Sequence, residues 1–368
     1  MAHRVIISGG GTGGHVFPAI AIANALRRME PDIEILFVGA NGRMEMERVP
    51  AAGYEIVGLD IQGIDRHSLL KNLTLPFKMI NSLIKARKII KEFDAEAAVG
   101  VGGYASGPLL MMANRIGVPT LIQEQNSYAG VTNKSLSEKA KKICVAYEGM
   151  DKFFPAEKLL LTGNPIRRES VAIDGKREFA LQIFGLQERK KTILIIGGSL
   201  GARQINGYVL DVMHELGSKE DVQFIWQTGK AYYEDMERML HMDRLIPGNV
   251  KVFPFLERMD LAYAAADLII SRAGAGTISE LCVVGKPVIL VPSPNVAEDH
   301  QTKNATALVA KNAAVMISEV DAKDTLIYMA MDLLADEAKC ASLGEEIKKL
   351  AILDADEVIA KEVLKLIK

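Results

Sequence analysis

The stretch Ser8-Gly9-Gly10-Gly11-Thr12-Gly13-Gly14-His15 decides the fold of this chain. It follows a short run typical of a buried β-strand, residues 5–7, and leads into a helical repeat of apolar residues that begins near Ala19. Glycine lets the turn adopt positive φ and lets another molecule approach the backbone. The first N–H groups of the helix carry the positive end of the helix dipole. The turn is therefore a candidate anion site, with His15 as a titratable group at its exit.

Three interpretations of this turn differ in what it binds. Gly9, Gly11 and Gly14 match the dinucleotide-binding pattern G-x-G-x-x-G, but no acidic residue ends the next predicted strand, where Val38-Gly39-Ala40-Asn41 stands. A phosphate-binding P-loop needs Lys and then Ser or Thr after its last glycine, and this chain has His15-Val16. The third interpretation is a tight turn without a ligand, although the density of glycine exceeds what such a turn requires.

Length and composition restrict the class of protein. The 368 residues suggest two domains, and 49% hydrophobic residues with only 6% aromatic residues predict a large aliphatic core. A formal net charge of −2 gives no support to nucleic-acid binding. Three scattered cysteines, Cys144, Cys282 and Cys340, show no metal-ligand spacing and are typical of a reducing cytosol. The sequence has no signal-like start and no run of ~18 apolar residues, so we expect a soluble or membrane-surface protein.

Strands alternate with helices in both halves of the chain, which predicts an α/β fold with two doubly wound parallel sheets. In the first half, strands are predicted at residues 5–7, 35–38, 97–101, 120–123, 142–145 and 159–161. In the second half, they are predicted at residues 192–196, 223–227, 250–254, 268–271, 287–291 and 314–317. A second glycine-rich turn, Gly197-Gly198-Ser199-Leu200-Gly201-Ala202, follows its strand as the first turn does.

The domain boundary is placed at Asn164-Pro165-Ile166, after the last strand of the first half. We predict an N-terminal domain at residues 1–165, a C-terminal domain at 166–345, and a helical segment at 346–368 that packs back on the first domain. Ligands of doubly wound sheets bind at the carboxyl ends of the strands, so the cleft between the domains is the predicted active site. Asp354-Ala355-Asp356 matches a D-x-D metal-binding pattern, but on a late helix we interpret it as a solvated face.

Residues 66–91 form a basic amphipathic stretch that contains no acidic residue. Large apolar residues are interleaved there with Arg66, Lys71, Lys78, Lys85, Arg87, Lys88 and Lys91. Such a pattern is typical of a helix that lies on an anionic membrane surface. A core helix with a basic solvent face is the alternative, and the residues alone do not separate the two.

Other strand ends in the first half carry polar motifs. Gly102-Gly103-Tyr104-Ala105-Ser106 and Gln123-Glu124-Gln125-Asn126 follow successive strands, and their side chains could hold a sugar or a peptide. The alternative is a loop whose side chains cap the next helix. Arg167 at the domain junction suits a diphosphate, because a guanidinium donates a planar fork, and an ordinary surface role is its alternative.

Two further turns in the second half carry candidate ligand-binding residues. Ser199 could hold a phosphate or cap a helix. In Ser271-Arg272-Ala273-Gly274-Ala275-Gly276-Thr277-Ile278-Ser279-Glu280, Glu280 could accept both hydroxyls of a ribose. Thr277 and Glu280 also match a capping box, which is the competing interpretation. Gln301 could bind sugar hydroxyls, with a cap or loop role as its alternative.

Taken in order, these motifs resemble the glycosyltransferase family that completes the lipid-linked precursor of peptidoglycan. The resemblance covers nearly the whole chain. It rests on Gly10-Gly11-Thr12-Gly13-Gly14-His15-Val16-Phe17-Pro18, Gly102-Gly103-Tyr104, Glu124-Gln125-Asn126, Thr132-Asn133-Lys134, Gly163-Asn164-Pro165-Ile166-Arg167, Gly197-Gly198-Ser199-Leu200-Gly201-Ala202 and Ser271-Arg272-Ala273-Gly274. It implies a GT-B fold, two Rossmann-like domains around a central cleft. It also implies that the second domain binds UDP-GlcNAc, that the first binds the lipid acceptor, and that no cofactor is needed.

The resemblance also implies which residues bind the substrates. The donor contacts carried over by motif are Thr12, Gly13, Gly14, Asn126, Arg167, Ser199, Leu256, Ala275, Gly276, Thr277, Ile278, Ser279, Glu280 and Gln301. Among these, Leu256 falls where the family's backbone reads uracil. Tyr104 and Ser106 are the predicted acceptor contacts. The family pattern Asp-Arg-Gln-Gln is Asp299-His300-Gln301-Thr302 here, so the role of the second glutamine is not carried over.

The implied reaction is an inverting transfer of N-acetylglucosamine from UDP-GlcNAc to the C4 hydroxyl of undecaprenyl-diphospho-N-acetylmuramoyl-pentapeptide. His15 is the predicted base, because an unperturbed histidine titrates near neutrality, and Glu124 is the second candidate. The negative charge on the leaving diphosphate would be stabilised by Ser199, Arg167 and helix N-termini in place of a metal ion.

The expected location is the cytoplasmic face of the bacterial membrane. The basic stretch at residues 66–91 is the expected contact with its anionic surface, and no nucleic-acid partner is expected. Two other functions compete. One is a related GT-B enzyme with a soluble acceptor, such as a nucleotide-sugar epimerase, or a glycolipid synthase. The other is a non-catalytic protein that binds a nucleotide sugar.

Overall fold

The computed structural model describes residues 2–61, 75–198, 201–242 and 246–367. Its backbone divides into two compact units. Unit 1 comprises Met1–Ile166 and Ile352–Lys368, and unit 2 comprises Arg167–Ala351. The chain thus leaves unit 1 directly before Arg167 and returns to it with the last helix.

Unit 1 is built on one parallel sheet covered by helices. Its strands are β1 (Arg4–Ser8), β2 (Glu34–Ala40), β3 (Glu55–Leu59), β4 (Ala97–Gly100), β5 (Thr120–Glu124), β6 (Lys142–Val145) and β7 (Leu159–Leu161). Its helices are α1 (Gly13–Met29), α2 (Glu45–Ala51), α3 (Leu75–Phe93), α4 (Ser106–Ile116) and α5 (Val131–Leu136), with α16 (Ala355–Ile367) from the end of the chain. The strand order is β3-β2-β1-β4-β5-β6-β7, so the order reverses between β1 and β4.

Unit 2 repeats this plan. Its strands are β8 (Lys191–Ile196), β9 (Val222–Gln227), β10 (Val250–Phe253), β11 (Leu268–Ser271), β12 (Val288–Leu290) and β13 (Val315–Met316). Its helices are α6 (Arg168–Val171), α7 (Arg177–Phe184), α8 (Arg203–Asp211), α9 (Met213–Gly217), α10 (Lys230–Met242), α11 (Met259–Ala265), α12 (Ala275–Val284), α13 (His300–Val309), α14 (Glu319–Ala335) and α15 (Glu337–Lys348). The strand order is β10-β9-β8-β11-β12-β13, with the reversal between β8 and β11.

The predicted doubly wound parallel sheets are confirmed, because strands pair in parallel throughout both sheets. Strand β3 is the one strand of the described chain that the sequence analysis missed. Gly58 interrupts the apolar pattern of β3, and a glycine inside such a pattern weakens the prediction of a strand. A Cβ there would overlap the side-chain amide of Asn41, so a larger residue would require that exposed side chain to move.

The final helix belongs to the core of unit 1. Ile359, Ala360 and Val363 are fully buried in the same apolar cluster as residues of β1 and α1. At the start of this helix, Asp356 is buried and accepts a hydrogen bond of 2.7 Å from Nη2 of Arg28. The interpretation of the D-x-D sequence as a solvated face is therefore wrong for Asp356, whose carboxylate ties α16 to α1.

Candidate active site

Two glycine-rich loops meet at the carboxyl ends of β1 and β4, where the strand order reverses. Gly11 has φ +85° and Gly103 has φ +91°. A Cβ on Gly103 would lie 2.3 Å from the carbonyl oxygen of Gly10, so the loops pack backbone against backbone. The Gly10 N–H donates to the Gly102 carbonyl at 3.3 Å. Only glycine permits this approach at Gly103, and the positive φ of Gly11 favours glycine there.

His15 lies in the first turn of α1, and its ring contacts both of these loops. Its Nδ1 is 3.0 Å from the Gly10 carbonyl oxygen. A carbonyl can only accept, so Nδ1 carries the proton and Nε2 holds the lone pair of the neutral ring. The ring lies against Gly102, where an added Cβ would be 2.9 Å from Nε2. This arrangement gives the imidazole a defined tautomer and a defined orientation.

Thr12, Gly13 and Gly14 form the N-terminus of α1. Thr12 is the exposed N-cap residue, and its side chain makes no capping hydrogen bond. Its carbonyl accepts from the N–H groups of His15 and Val16 at 3.1 Å each. The side chain of Thr12 and the first N–H groups of the helix are therefore placed to meet an anionic or polar ligand.

Ser106, a predicted acceptor contact, is fully buried. Its hydroxyl is 2.9 Å from the carbonyl oxygens of both Ser8 and Gly102. The side chain therefore ties the ends of β1 and β4 together, and we do not propose it as an acceptor contact. The neighbouring Tyr104 is 46% exposed, so its ring remains available to a ligand.

Glu124, the second candidate base, ends strand β5 and is buried. Its Oε1 accepts from the N–H and the Nδ2 of Asn126 at 3.1 and 3.2 Å. Its Oε2 accepts from the Gly130 N–H at 3.0 Å and from Nδ2 of Asn133 at 2.8 Å. Four donors therefore occupy both oxygens of the carboxylate. Glu124 therefore holds the loop between β5 and α5 in place. Asn126 lies in this loop and is half-buried.

In unit 2, the partly buried carboxylate of Glu280 is held by two side chains. Oε2 of Glu280 accepts from the hydroxyl of Tyr263 at 3.2 Å, and Nη2 of Arg167 lies 3.7 Å from Oε1. The Glu280 side chain keeps 14% exposure, whereas Arg167 is 56% exposed. Burial raises the pKa of Glu280 above its ordinary value, and Arg167 and the Tyr263 hydroxyl offset only part of that rise.

The turn before α12 is not a capping box. The helix begins at Ala275 with Gly274 as its N-cap, and Thr277 is already the third helical residue. The capping-box interpretation of Thr277 and Glu280 is therefore wrong. The N–H groups of Ala275, Gly276 and Thr277 form the helix N-terminus instead. Ile278 is buried, and the Ser279 hydroxyl donates to the Ala275 carbonyl at 3.1 Å.

Gln301 lies in the first turn of α13, and Leu256 lies in the loop that follows β10. Oε1 of Gln301 accepts from the Ser293 N–H at 2.9 Å and from the Ala273 N–H at 3.3 Å. The Leu256 N–H donates to Oε1 of Gln227 at 2.9 Å. Nε2 of the same Gln227 donates to the Gly198 carbonyl at 3.0 Å, so one amide joins two loops. Ser199 and Leu200 lie outside the described residues.

Sequence reasoning missed three buried residues that support these loops: Glu45, Gln227 and Tyr263. Each acts through a contact that is distant in sequence, with separations of 34 residues for Glu45–Gly11, 29 for Gln227–Leu256 and 17 for Tyr263–Glu280. A polar residue at the end of a buried strand was the available signal for Gln227. Glu45 and Tyr263 sit on helices, where a single sequence gives no such signal.

Helix α3 covers the described part of the basic stretch, and residues 66–74 of that stretch lie outside the description. Ala86, Ile89 and Ile90 are buried on one side. The opposite side exposes Phe77 (71%) and Ile84 (64%), together with Ile80, Arg87, Lys88 and Lys91. Within the described ranges, no helix is long and apolar enough to cross a membrane.

Both halves of the chain match one family of known proteins. The N-terminal domain of glycosyltransferase family 28 matches residues 5–145, and the C-terminal domain of that family matches residues 192–359. Together the two matches span most of the chain, including the glycine-rich turns after β1 and β8.

Close relatives carry one name. The chain is 58% identical over 365 residues to the UDP-N-acetylglucosamine–N-acetylmuramyl-(pentapeptide) pyrophosphoryl-undecaprenol N-acetylglucosamine transferase of Bacteroides fragilis, covering 99% of this chain and 96% of the relative. The protein of the same name from Parabacteroides distasonis is 57% identical, covering 99% and 98%. Among solved structures, Acinetobacter baumannii MurG aligns with a TM-score of 0.80 at 30% identity over 99% of both chains.

Proposed function

The chain belongs to glycosyltransferase family 28, and from this premise we infer that it transfers N-acetylglucosamine from UDP-GlcNAc to undecaprenyl-linked muramyl-pentapeptide. This reaction completes the lipid-linked precursor in peptidoglycan synthesis. The observation that carries the inference is the 58% identity, over nearly the full length of both chains, to a relative that bears this name. The predicted GT-B fold and the predicted class of enzyme are confirmed by the same comparisons.

We propose that His15 is the base. Its Nε2 accepts the proton of the C4 hydroxyl of the muramyl sugar, the hydroxyl oxygen attacks the anomeric carbon of N-acetylglucosamine, and UDP leaves with inversion. The hydrogen bond from Nδ1 to the Gly10 carbonyl supports this role, because it leaves the lone pair on Nε2. The four hydrogen bonds to Glu124 disfavour that residue as the base, since both of its oxygens are occupied.

For the donor, we propose that Glu280 accepts hydrogen bonds from the ribose hydroxyls and that Arg167 meets the diphosphate. The 3.7 Å separation of Arg167 from Glu280 supports adjacent binding of a sugar and a phosphate. The N-terminus of α12, in the same unit as Arg167 and Glu280, would offer further N–H donors to the leaving charge. The Leu256 N–H is engaged by Gln227, so its carbonyl is the backbone group that would accept from uracil. The amide nitrogen of Gln301 would donate to the sugar.

The function is tested by measuring UDP release in detergent that contains EDTA, with and without a lipid-diphosphate-muramyl-peptide acceptor. We expect release that depends on the acceptor and survives EDTA. Release that EDTA abolishes and magnesium restores would overturn the assignment of leaving-group stabilisation to protein groups. Activity with a water-soluble sugar acceptor would favour a related enzyme with a soluble acceptor. Tight donor binding without turnover would favour a non-catalytic protein.

We further propose that α3 holds the enzyme on the cytoplasmic face of the membrane as a peripheral protein. Its exposed side carries Phe77, Ile80 and Ile84 toward the helix start and Arg87, Lys88 and Lys91 toward its end. Apolar side chains that enter the interface and basic side chains that attract anionic headgroups are the two components of such binding. This arrangement favours the membrane-surface interpretation of the basic stretch.

Membrane binding is tested by replacing Phe77, Ile80 and Ile84 together with serine. We expect at least a tenfold weaker affinity for vesicles that contain phosphatidylglycerol. The three exposed apolar side chains would become buried in the membrane interface, and full burial of such a side chain contributes about 1.5–3 kcal/mol. The matched control replaces Phe179 and Ile183, an exposed apolar pair on α7, with serine. Equal vesicle affinity of the triple variant and the parent, with UDP binding intact, would refute the proposal.

A further inference from the structure

Glu45, in the first turn of α2, is a charged residue with no exposed surface. Its Oε2 accepts from the Gly11 N–H at 2.9 Å, and its Oε1 accepts from the Ala40 N–H at 3.0 Å. A buried carboxylate is costly unless hydrogen bonds compensate it. Here the compensation comes from backbone groups of the β1–α1 loop and of the end of β2.

Two glycines make room for this carboxylate. A Cβ on Gly10 would lie 2.1 Å from Oε1 of Glu45, and a Cβ on Gly39 would lie 2.6 Å from its Cγ. Neither glycine has a φ in the left-handed region, so backbone conformation does not require glycine at either position. The requirement is space. Gly10 and Gly39 are therefore parts of a cavity shaped around the Glu45 side chain.

The same loop holds His15. Gly11, whose N–H Glu45 accepts, directly follows Gly10, whose carbonyl accepts from Nδ1 of His15 at 3.0 Å. The Gly10 N–H is in turn fixed by the Gly102 carbonyl. The orientation of the Gly10 carbonyl therefore depends on the peptide that Glu45 fixes at Gly11. The Gly10 carbonyl and the Gly11 N–H belong to the same planar peptide, so one peptide unit connects the Glu45 carboxylate to the imidazole.

We propose that Glu45 is a positioning residue, which fixes the tautomer and the orientation of His15 through Gly11 and Gly10. The proposal rests on the proposed role of His15 as base. Both Glu45 oxygens accept from N–H groups, and a carboxylate is the only side-chain group of this size that offers two acceptor oxygens. In a Glu45→Gln variant, the amide NH₂ would face one of these N–H donors. The loop would shift, and the Gly10 carbonyl would no longer select the Nδ1-protonated ring.

The test combines ¹⁵N NMR of histidine side chains with steady-state kinetics on the full-length protein. The chain has six histidines, and the signal that disappears in His15→Ala identifies His15. We expect the parent protein to show the Nδ1-protonated tautomer and Glu45→Gln to show a mixture. We also expect kcat to fall by about tenfold to a hundredfold, since a small misplacement of a catalytic group has effects of this size.

The matched control is Glu47→Gln, which removes an exposed carboxylate two residues along the same helix and is expected to match the parent in both measurements. If Glu45→Gln does not fold, Glu45→Asp replaces it, because the shorter carboxylate keeps the charge but cannot reach both N–H groups. A fall in kcat with an unchanged His15 tautomer would show a merely structural role and overturn the proposal. If the parent lacks acceptor-dependent turnover, the proposed function fails, whereas the tautomer measurement still decides whether Glu45 controls His15.

Discussion

The two units use carboxylates at their strand ends in opposite ways, although their sheets follow the same plan. In unit 1, Glu45 and Glu124 are buried and accept hydrogen bonds on both oxygens, mostly from backbone N–H groups. In unit 2, Glu280 accepts from the Tyr263 hydroxyl and lies near Arg167, and part of its side chain reaches solvent.

This difference distinguishes carboxylates that support a loop from a carboxylate that can contact the substrate. A carboxylate that loop N–H groups occupy holds the loop and leaves the chemistry to another group, which in unit 1 is His15. A carboxylate held by a tyrosine and an arginine keeps acceptor capacity toward solvent. We therefore expect changes in unit 1 to alter turnover and changes around Glu280 to alter donor binding.

The largest effect is expected for His15→Ala. General base catalysis contributes about 10²–10⁴ to the rate, so kcat should fall by a factor in this range. The KM for UDP-GlcNAc should change far less, because the groups that we assign to the ribose and the uracil lie in unit 2. Steady-state kinetics with varied donor concentration at saturating acceptor measures both constants.

The control for this variant is His214→Ala, which removes an exposed histidine of α9. It should leave both constants unchanged. Equal losses in kcat and in donor affinity for His15→Ala would count against the base role, and they would also remove the contrast between the two units.

The sequence predicts the architecture well because strand and helix periodicity are local properties. Buried runs such as 192–196 and the glycine-rich turns after them identify the sheets and the carboxyl ends that carry the site. The exception, β3, contains Gly58, which packs against the side chain of Asn41. That contact is invisible in a single sequence.

The site was predicted less completely, for a physical reason. His15 directly follows a glycine, and Glu280 belongs to a motif that contains Gly274 and Gly276, so both are visible as candidates. Whether a polar side chain faces a ligand or the backbone depends on the folded neighbours. Ser106 and Glu124 belong to the same kind of strand-end motif as His15, yet their hydrogen bonds turn them inward. Glu45 and Tyr263 carry no local signal at all.

A smaller effect, on donor binding, is expected for Tyr263→Phe. The variant removes the hydroxyl that donates to Glu280 at 3.2 Å and leaves the ring in its buried place. A hydrogen bond to a charged group contributes about 1.5–3 kcal/mol, so the KM for UDP-GlcNAc should rise by about tenfold or somewhat more while kcat stays nearly constant. Kinetics at neutral pH tests this expectation. A fall in kcat with an unchanged KM would place Tyr263 with the groups that support turnover.

The pH dependence of the same variant sharpens the comparison. Burial already raises the pKa of Glu280, and the Tyr263 hydroxyl opposes that rise because it stabilises the charged form. Without this hydroxyl, Glu280 should take up its proton at a higher pH than in the parent. Donor affinity, which needs the carboxylate, should therefore start to fall at a higher pH as the solution is acidified. The control is Tyr328→Phe, which breaks an exposed Tyr–Glu hydrogen bond of 2.7 Å to Glu215 and should leave the profile unchanged. If donor affinity falls at the same pH in Tyr263→Phe and in the parent, Glu280 does not accept from the donor as a carboxylate. The carboxylates at the strand ends of the two units would then have the same supporting role.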